Sequence, residues 1–348
     1  MNGKLTAGLR AAAVCIALAA SGVASAGAAG AARTAPRART SAASPVPATA
    51  YVANSGSNSV TPIDTATNTA LKAIKVSNQP GAIAITPDGK KAYVAAGVQG
   101  AMGSVTPIRI ATNTARKAIT VGHRPVAIAI TPDGKTAYVA NSGGFEVTVI
   151  RTATNSRLKA IKVGSLPSAI AITPNGKKAY VANFRSGTVT PIRTATNTAR
   201  KAIKVGTRPS AIAITPNGKT AYVVSTGFGA TGTVTPIRTA TNTAGKAITV
   251  GTLPVAIAIT PDGTTAYVVN SGPGSRSVTP IDIATNTALQ AIQLGFGLPG
   301  PIVITPDGTT AYVATTNSNY VTPIDTTTNT ALPAITVGSD PAAIAITP

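Results

Sequence analysis

The sequence predicts an all-β fold, a seven-bladed β-propeller of four-stranded antiparallel blades. Three observations predict it. The dipeptide "YV" recurs at Tyr51, Tyr93, Tyr138, Tyr180, Tyr222, Tyr267 and Tyr312, at spacings of 42 or 45 residues, and periods of that length mark solenoid or propeller repeats. Each copy holds four short strand-like runs separated by Gly, Pro, Asn and Asp. The last phrase, "PAAIAITP" (Pro341 to Pro348), is the opening strand of a repeat, and the first copy, "ATAYVANS" (Ala48 to Ser55), lacks that strand. Pairing the C-terminal strand, residues 341–347, with the N-terminal three strands in residues 50–76 closes the ring.

In chain order, residues 1–26 read as a signal peptide. Lys4 and Arg10 precede or flank the apolar core "AAAVCIALAA", and Ala24-Ser25-Ala26 offers a cleavage site. The core is about half the length of a membrane span, so a secreted protein is expected, with no transmembrane segment in the mature chain. Cleavage after Ala26 removes Cys15, the one cysteine, and with it thiol chemistry. Residues 27–47, rich in Ala, Pro and Arg without apolar period, form a disordered spacer. The propeller occupies residues 48–348.

Within the third copy the strands are "VAIAIT" (126–131), "TAYVAN" (136–141), "EVTVI" (146–150) and "KAIKV" (159–163). The near-continuous apolar run of the first suits an inner strand covered on both faces. The first two are joined by "TPDG", in which Pro presets φ, Asp closes a side-chain turn and Gly takes the left-handed position. A linear solenoid needs polar caps at both ends, and none is visible.

The segments "PDGKTAYVAN", "VTPIDTATN" and "VGHRP" resemble those of the YVTN-type β-propeller repeat proteins, from Tyr51 to Pro348. The resemblance implies the propeller fold and membership in a set of secreted and surface proteins of varied roles. One departure stands out. Pro62, Pro107, Pro191, Pro236, Pro280 and Pro323 occupy the third strand where only Val149 follows the family pattern. Proline cannot donate to a ladder, so a bulge or a non-bonded position is expected there, with weakened pairing of the second and third strands.

Propeller loops alternate between two faces. The "PDG" and "TATNT" turns share one face and are nearly invariant. Every length change falls on the other. Tyr to the next "VT" takes 9 residues in four copies, 12 in those beginning at Tyr93 and Tyr222, and 11 in that beginning at Tyr267. The rarer side chains gather there too: His123, Arg124, Phe145, Phe184, Arg185, Arg208, Phe228, Arg276, Phe296 and Tyr320. Loops on a rigid scaffold carry function disproportionately, so this variable face is the candidate binding surface.

Charge is uneven. Residues 51–247 hold 24 Lys and Arg against 4 acids, and residues 248–348 hold one against 5. A basic rim is expected from Lys72, Lys75, Arg116, Lys117, Lys159, Lys162, Arg200, Lys201 and Lys204, and it would attract polyanions such as cell-wall polymer or nucleic acid. The rim lacks aromatic side chains for stacking bases, so nucleic acid is the weaker of the two.

Catalytic chemistry has little to build on. Asp88, Asp133, Asp262 and Asp307 are turn residues, replaced by Asn175 and Asn217 in two copies. The one histidine, His123, has no nucleophile elbow beside it. Related seven-bladed propellers include lyases that use several histidines and a divalent metal, a set this chain lacks. No cofactor or metal is therefore expected. The reading is a secreted, monomeric, non-catalytic propeller that binds a macromolecule or glycan through its variable face. A basic-rim polyanion binder is the first alternative and a hydrolase or lyase at His123 the second.

Overall fold

The computed structural model describes residues 49–64, 69–229, 231–295, 297–316, 318–336, 341 and 344. It is a seven-bladed propeller of antiparallel sheets, numbered here as blades 1 to 7 by their tyrosines from Tyr51 to Tyr312. Blade 4 is representative. Its inner strand Pro167–Ile172 pairs with Lys178–Asn183, which pairs with Thr188–Arg193, which pairs with an outer strand in two pieces, Thr198–Ala199 and Ile203–Lys204. Blade 1 shows the second, third and outer strands. The expected signal peptide, the expected spacer and nearly all of the expected closing strand lie outside the described residues. Among the described residues, one 3-10 turn, Ile110–Thr112, is the only helical element, and no helix is long and apolar enough to cross a membrane.

The strand prolines cause no bulge. Lys178 to Asn183 pairs with Arg193 to Thr188 residue by residue, with Tyr180 opposite Pro191, and the other five proline-bearing blades match. The expected weakening between second and third strands is thus corrected. The proline carbonyl faces the outer strand instead, where Pro191 O accepts Arg200 N at 2.8 Å. A residue's N and C=O point to the same side of a strand, so the missing donor faces the gap in the split outer strand. Blade 3 has the same gap with Val149, so the gap belongs to the repeat and makes proline tolerable. Irregularity falls on the inner strands, where the register shifts just after each opening proline, between Pro125 and Ala127 for instance.

Successive blades are fastened in one direction. The tyrosine of each "YV" lies between sheets, and Tyr93, Tyr138, Tyr180, Tyr222 and Tyr267 are fully buried. Among the described residues six hydroxyls donate to the asparagine of the next blade's "TATNT" or its variant: Tyr51 to Asn113, Tyr93 to Asn155, Tyr138 to Asn197, Tyr180 to Asn242, Tyr222 to Asn286 and Tyr267 to Asn329, all at 2.6 to 2.7 Å. These asparagines sit at positive φ, from 48° to 58°, a region Asn tolerates better than most residues. Burial raises the hydroxyls of the five buried tyrosines to a pKa of about 12. The "PDG" turns also stack around the ring: a side chain at Gly218 would meet Pro174 at 3.3 Å, and one at Gly263 would meet Pro216 at 3.2 Å.

Candidate functional site

The invariant face is structural. In blade 3, Thr131 Oγ1 donates to Asp133 Oδ1 at 2.5 Å, and Lys135 N donates to the same oxygen. Asn175 and Asn217 accept the matching pair of bonds in blades 4 and 5. An acceptor oxygen is what the turn requires, and a charge is not. The threonine hydrogen bond holds the Asp133 carboxyl below its ordinary range. The "TATNT" turn is tied to the same face, since Thr194 N donates to Lys177 O. Asp282 and Asp325 accept from the backbone of the residues that follow them.

The opposite face is built from paired loops. In blade 5, Thr226 N and Gly227 N, after the second strand, donate to Arg208 O and Thr207 O, before the inner strand. Blade 4 repeats this with Phe184 N to Leu166 O and Arg185 N to Ser165 O, and blade 3 with Ser142 N to Arg124 O and Gly143 N to His123 O. The residue before the proline is held at positive φ although it is not glycine: Arg124 at 50°, Leu166 at 52°, Arg208 at 55° and Leu253 at 47°. Part of the two longest insertions is strand: the third strand grows to eight residues in blades 2 and 5, Met102–Arg109 and Thr231–Arg238.

The loop pairing brings three expected residues together. The Arg208 guanidinium lies over the Phe228 ring, 4.0 Å from its centre, and 5.9 Å from the centre of Phe184 on the preceding blade. Phe228 is 68% exposed and Arg208 is exposed. Arg185, next to Phe184 in the chain, is also exposed, as are Arg276, Arg124, His123, Phe145 and Tyr320 on other loops of this face. Phe296 lies outside the described residues. Met102, half exposed and paired in register with His123, belongs to this face although composition alone did not single it out. Glu146 meets Arg157 at 3.9 Å. All nine rim cations are exposed. Among the described residues no three His, Cys, Asp or Glu side chains converge as metal ligands.

The family model of the YncE-like β-propellers matches residues 5–347, nearly the whole chain. The chain is a YncE-like β-propeller. No curated protein is recognisably similar to this YncE-like chain in sequence. Solved structures share its fold. Hydrazine synthase from Kuenenia stuttgartiensis superposes with a TM-score of 0.66 at 23% identity, over 76% of this chain and 88% of that one. A functionally unknown protein from Desulfotomaculum acetoxidans gives 0.66 at 18% identity, over 83% and 96%. A candidate 6-phosphogluconolactonase from Bacteroides uniformis gives 0.65 at 17% identity, over 81% and 93%. At these identities the likeness of a YncE-like propeller to its neighbours is one of fold.

Proposed function

We propose that this propeller is a secreted, non-catalytic binding protein that recognises a macromolecule or glycan through its variable face, centred on Phe184, Arg208 and Phe228. The observation that carries the reading is the guanidinium set between aromatic rings of two adjacent blades, one of them 68% exposed. Burying a phenylalanine stabilises a fold by about 2 kcal/mol, and Phe228 forgoes most of that. An arginine stacked on an aromatic ring keeps its donors free at the edge. Such a platform stacks a sugar ring or an apolar side chain and offers the guanidinium to an acidic group beside it. The positive φ of Arg208, which the repeat imposes on the residue before the proline in other blades too, fixes where the side chain starts.

The test is a triple variant, Phe184→Ala, Arg208→Ala and Phe228→Ala, incubated with wall and surface fractions of the source organism. Loss of one cluster of hot-spot size, about 2 kcal/mol, weakens retention at least about thirtyfold. The melting temperature should stay near that of the parent because the rings rest on loops. Retention equal to the parent's would remove this cluster from the binding face.

A further inference from the structure

The seven-fold repeat supplies its own control for the surface charges, because equivalent positions can be compared between blades on one backbone. Between blades 4 and 5 an open groove of about 830 Å³ is lined by Lys177, Lys178, Arg193, Arg200 and Lys201 over a floor that includes Ile192 and Ile203. The equivalent positions in blade 6 are Thr264, Thr265, Asp282, Leu289 and Gln290, in the same strands and turns. The fold therefore does not need the five cations. Keeping like charges side by side costs free energy.

The neighbourhood also lacks the carboxylates found elsewhere on this face. The two "PDG" turns that carry asparagine, at Asn175 and Asn217, are those of the two blades that flank the groove, and they stack through Pro174 and Gly218. Asn keeps the turn bonds without the charge. Blade 2 has five cations at the matching positions, Lys90, Lys91, Arg109, Arg116 and Lys117, but its turn keeps Asp88, 4.0 Å from Lys90. In the groove, Lys178 Nζ donates to Thr239 O, Ala240 O and Asn242 Oδ1. Burial and the nearby Arg200 lower its affinity for a proton. The other four cations project at the exposed surface.

The geometry points to an anion-binding groove between blades 4 and 5 whose ligand is a flexible, non-aromatic polyanion chain carrying phosphate or carboxylate groups. Arginine forks bind such groups in bidentate fashion and lysines bind them as point charges. No aromatic side chain lines the groove, so it offers nothing for bases to stack on. This site is independent of the Arg208 cluster and stands or falls without it.

The full chain would be titrated against inorganic polyphosphate, polygalacturonate and single-stranded DNA across a salt series. The decisive variant carries the residues of blade 6: Arg193→Asp, Arg200→Leu and Lys201→Gln. A variant matched in charge on blades 2 and 3, Arg109→Asp, Lys135→Gln and Arg151→Gln, at exposed positions outside the groove, controls for net charge. The expected result is binding of polyphosphate or polygalacturonate that weakens steeply with salt. It falls at least about tenfold in the groove variant and within about twofold of the parent in the control, and the tighter polymer identifies the anionic group. A milder pair, Lys177→Thr and Lys201→Gln, should shift binding the same way if the triple variant melts early. Equal losses in groove and control variants, an unaffected groove variant, no binding of either polymer, or binding confined to DNA would each overturn the assignment.

Discussion

Raising the pH from 10 to 12 should unfold this propeller in one cooperative step. The five fully buried tyrosines have their hydroxyls pushed up to about 12, with burial as the leading cause. In the unfolded chain a tyrosine ionises near 10. A folded-state value above the unfolded one means the stabilisation is fully present below about pH 10 and is lost as the pH climbs through about 12. Two units correspond to about 3 kcal/mol for each tyrosine, and five together reach the order of 10 kcal/mol, comparable with the net stability of a domain. Tyrosinate absorbance and the loss of β-sheet dichroism should therefore rise together. Tyr180→Phe sharpens the test, because it removes the bond to Asn242 and costs about 1 kcal/mol at neutral pH. It should then lose less stability than the parent above pH 10. Tyrosines that ionise smoothly near 10 in an intact fold would refute the account.

The second large effect concerns a pair of small and polar residues on neighbouring blades. A Cβ built at Gly164, in the bend between blade 3's outer strand and blade 4's inner strand, would lie 2.7 Å from Asn183 Cγ and 2.8 Å from its Cβ. Asn183 is fully buried and has little freedom to move, its Nδ2 donating to Thr188 and Thr190. Gly164→Ser should destabilise the protein by about 2 to 3 kcal/mol through overpacking. Blades 1 and 2 already show the compensated form. Ser77 stands at the glycine position, Ala96 replaces the asparagine, and the Ser77 hydroxyl lies 3.4 Å from Thr106 Oγ1. Adding Asn183→Ala to Gly164→Ser should restore part of the lost stability, since it clears the space beside position 164 while giving up the two bonds that Asn183 Nδ2 donates. A denaturant double-mutant cycle measures the coupling, and additive losses would show that the two sites do not share this space.

These cases also show what was legible in the sequence. The period, the strand count, the "TPDG" turn and the division into an invariant and a variable face could be read from spacing alone, because each depends on local chemistry repeated seven times. The strand prolines misled, since their cost depends on which side of the ladder the nitrogen faces, and that is set by the split outer strand. The tyrosine bonds had a signal in hindsight, as "YV" and "TATNT" vary least among the copies. Their partners are about 60 residues apart on different blades, so no local pattern pairs them. The same limit hid the Arg208 cluster. Phe184 and Phe228 stand out in the sequence as rare side chains on the variable face, but only the meeting of loops from adjacent blades puts one arginine between them.

The one-way fastening of blades bears on how such a chain can change over generations. Each copy carries both halves of the fastening, a tyrosine for the blade ahead and an asparagine for the blade behind. A duplicated copy would arrive already compatible with any neighbour, because nothing in the contact is private to one pair of blades. Gene duplication or loss of a 42-residue cassette thus needs no matching substitution next door, and the limit on repeat number comes from the angle that lets a ring meet itself. Inherited variation is then free to accumulate on the opposite face, where loop length and side chains differ from copy to copy.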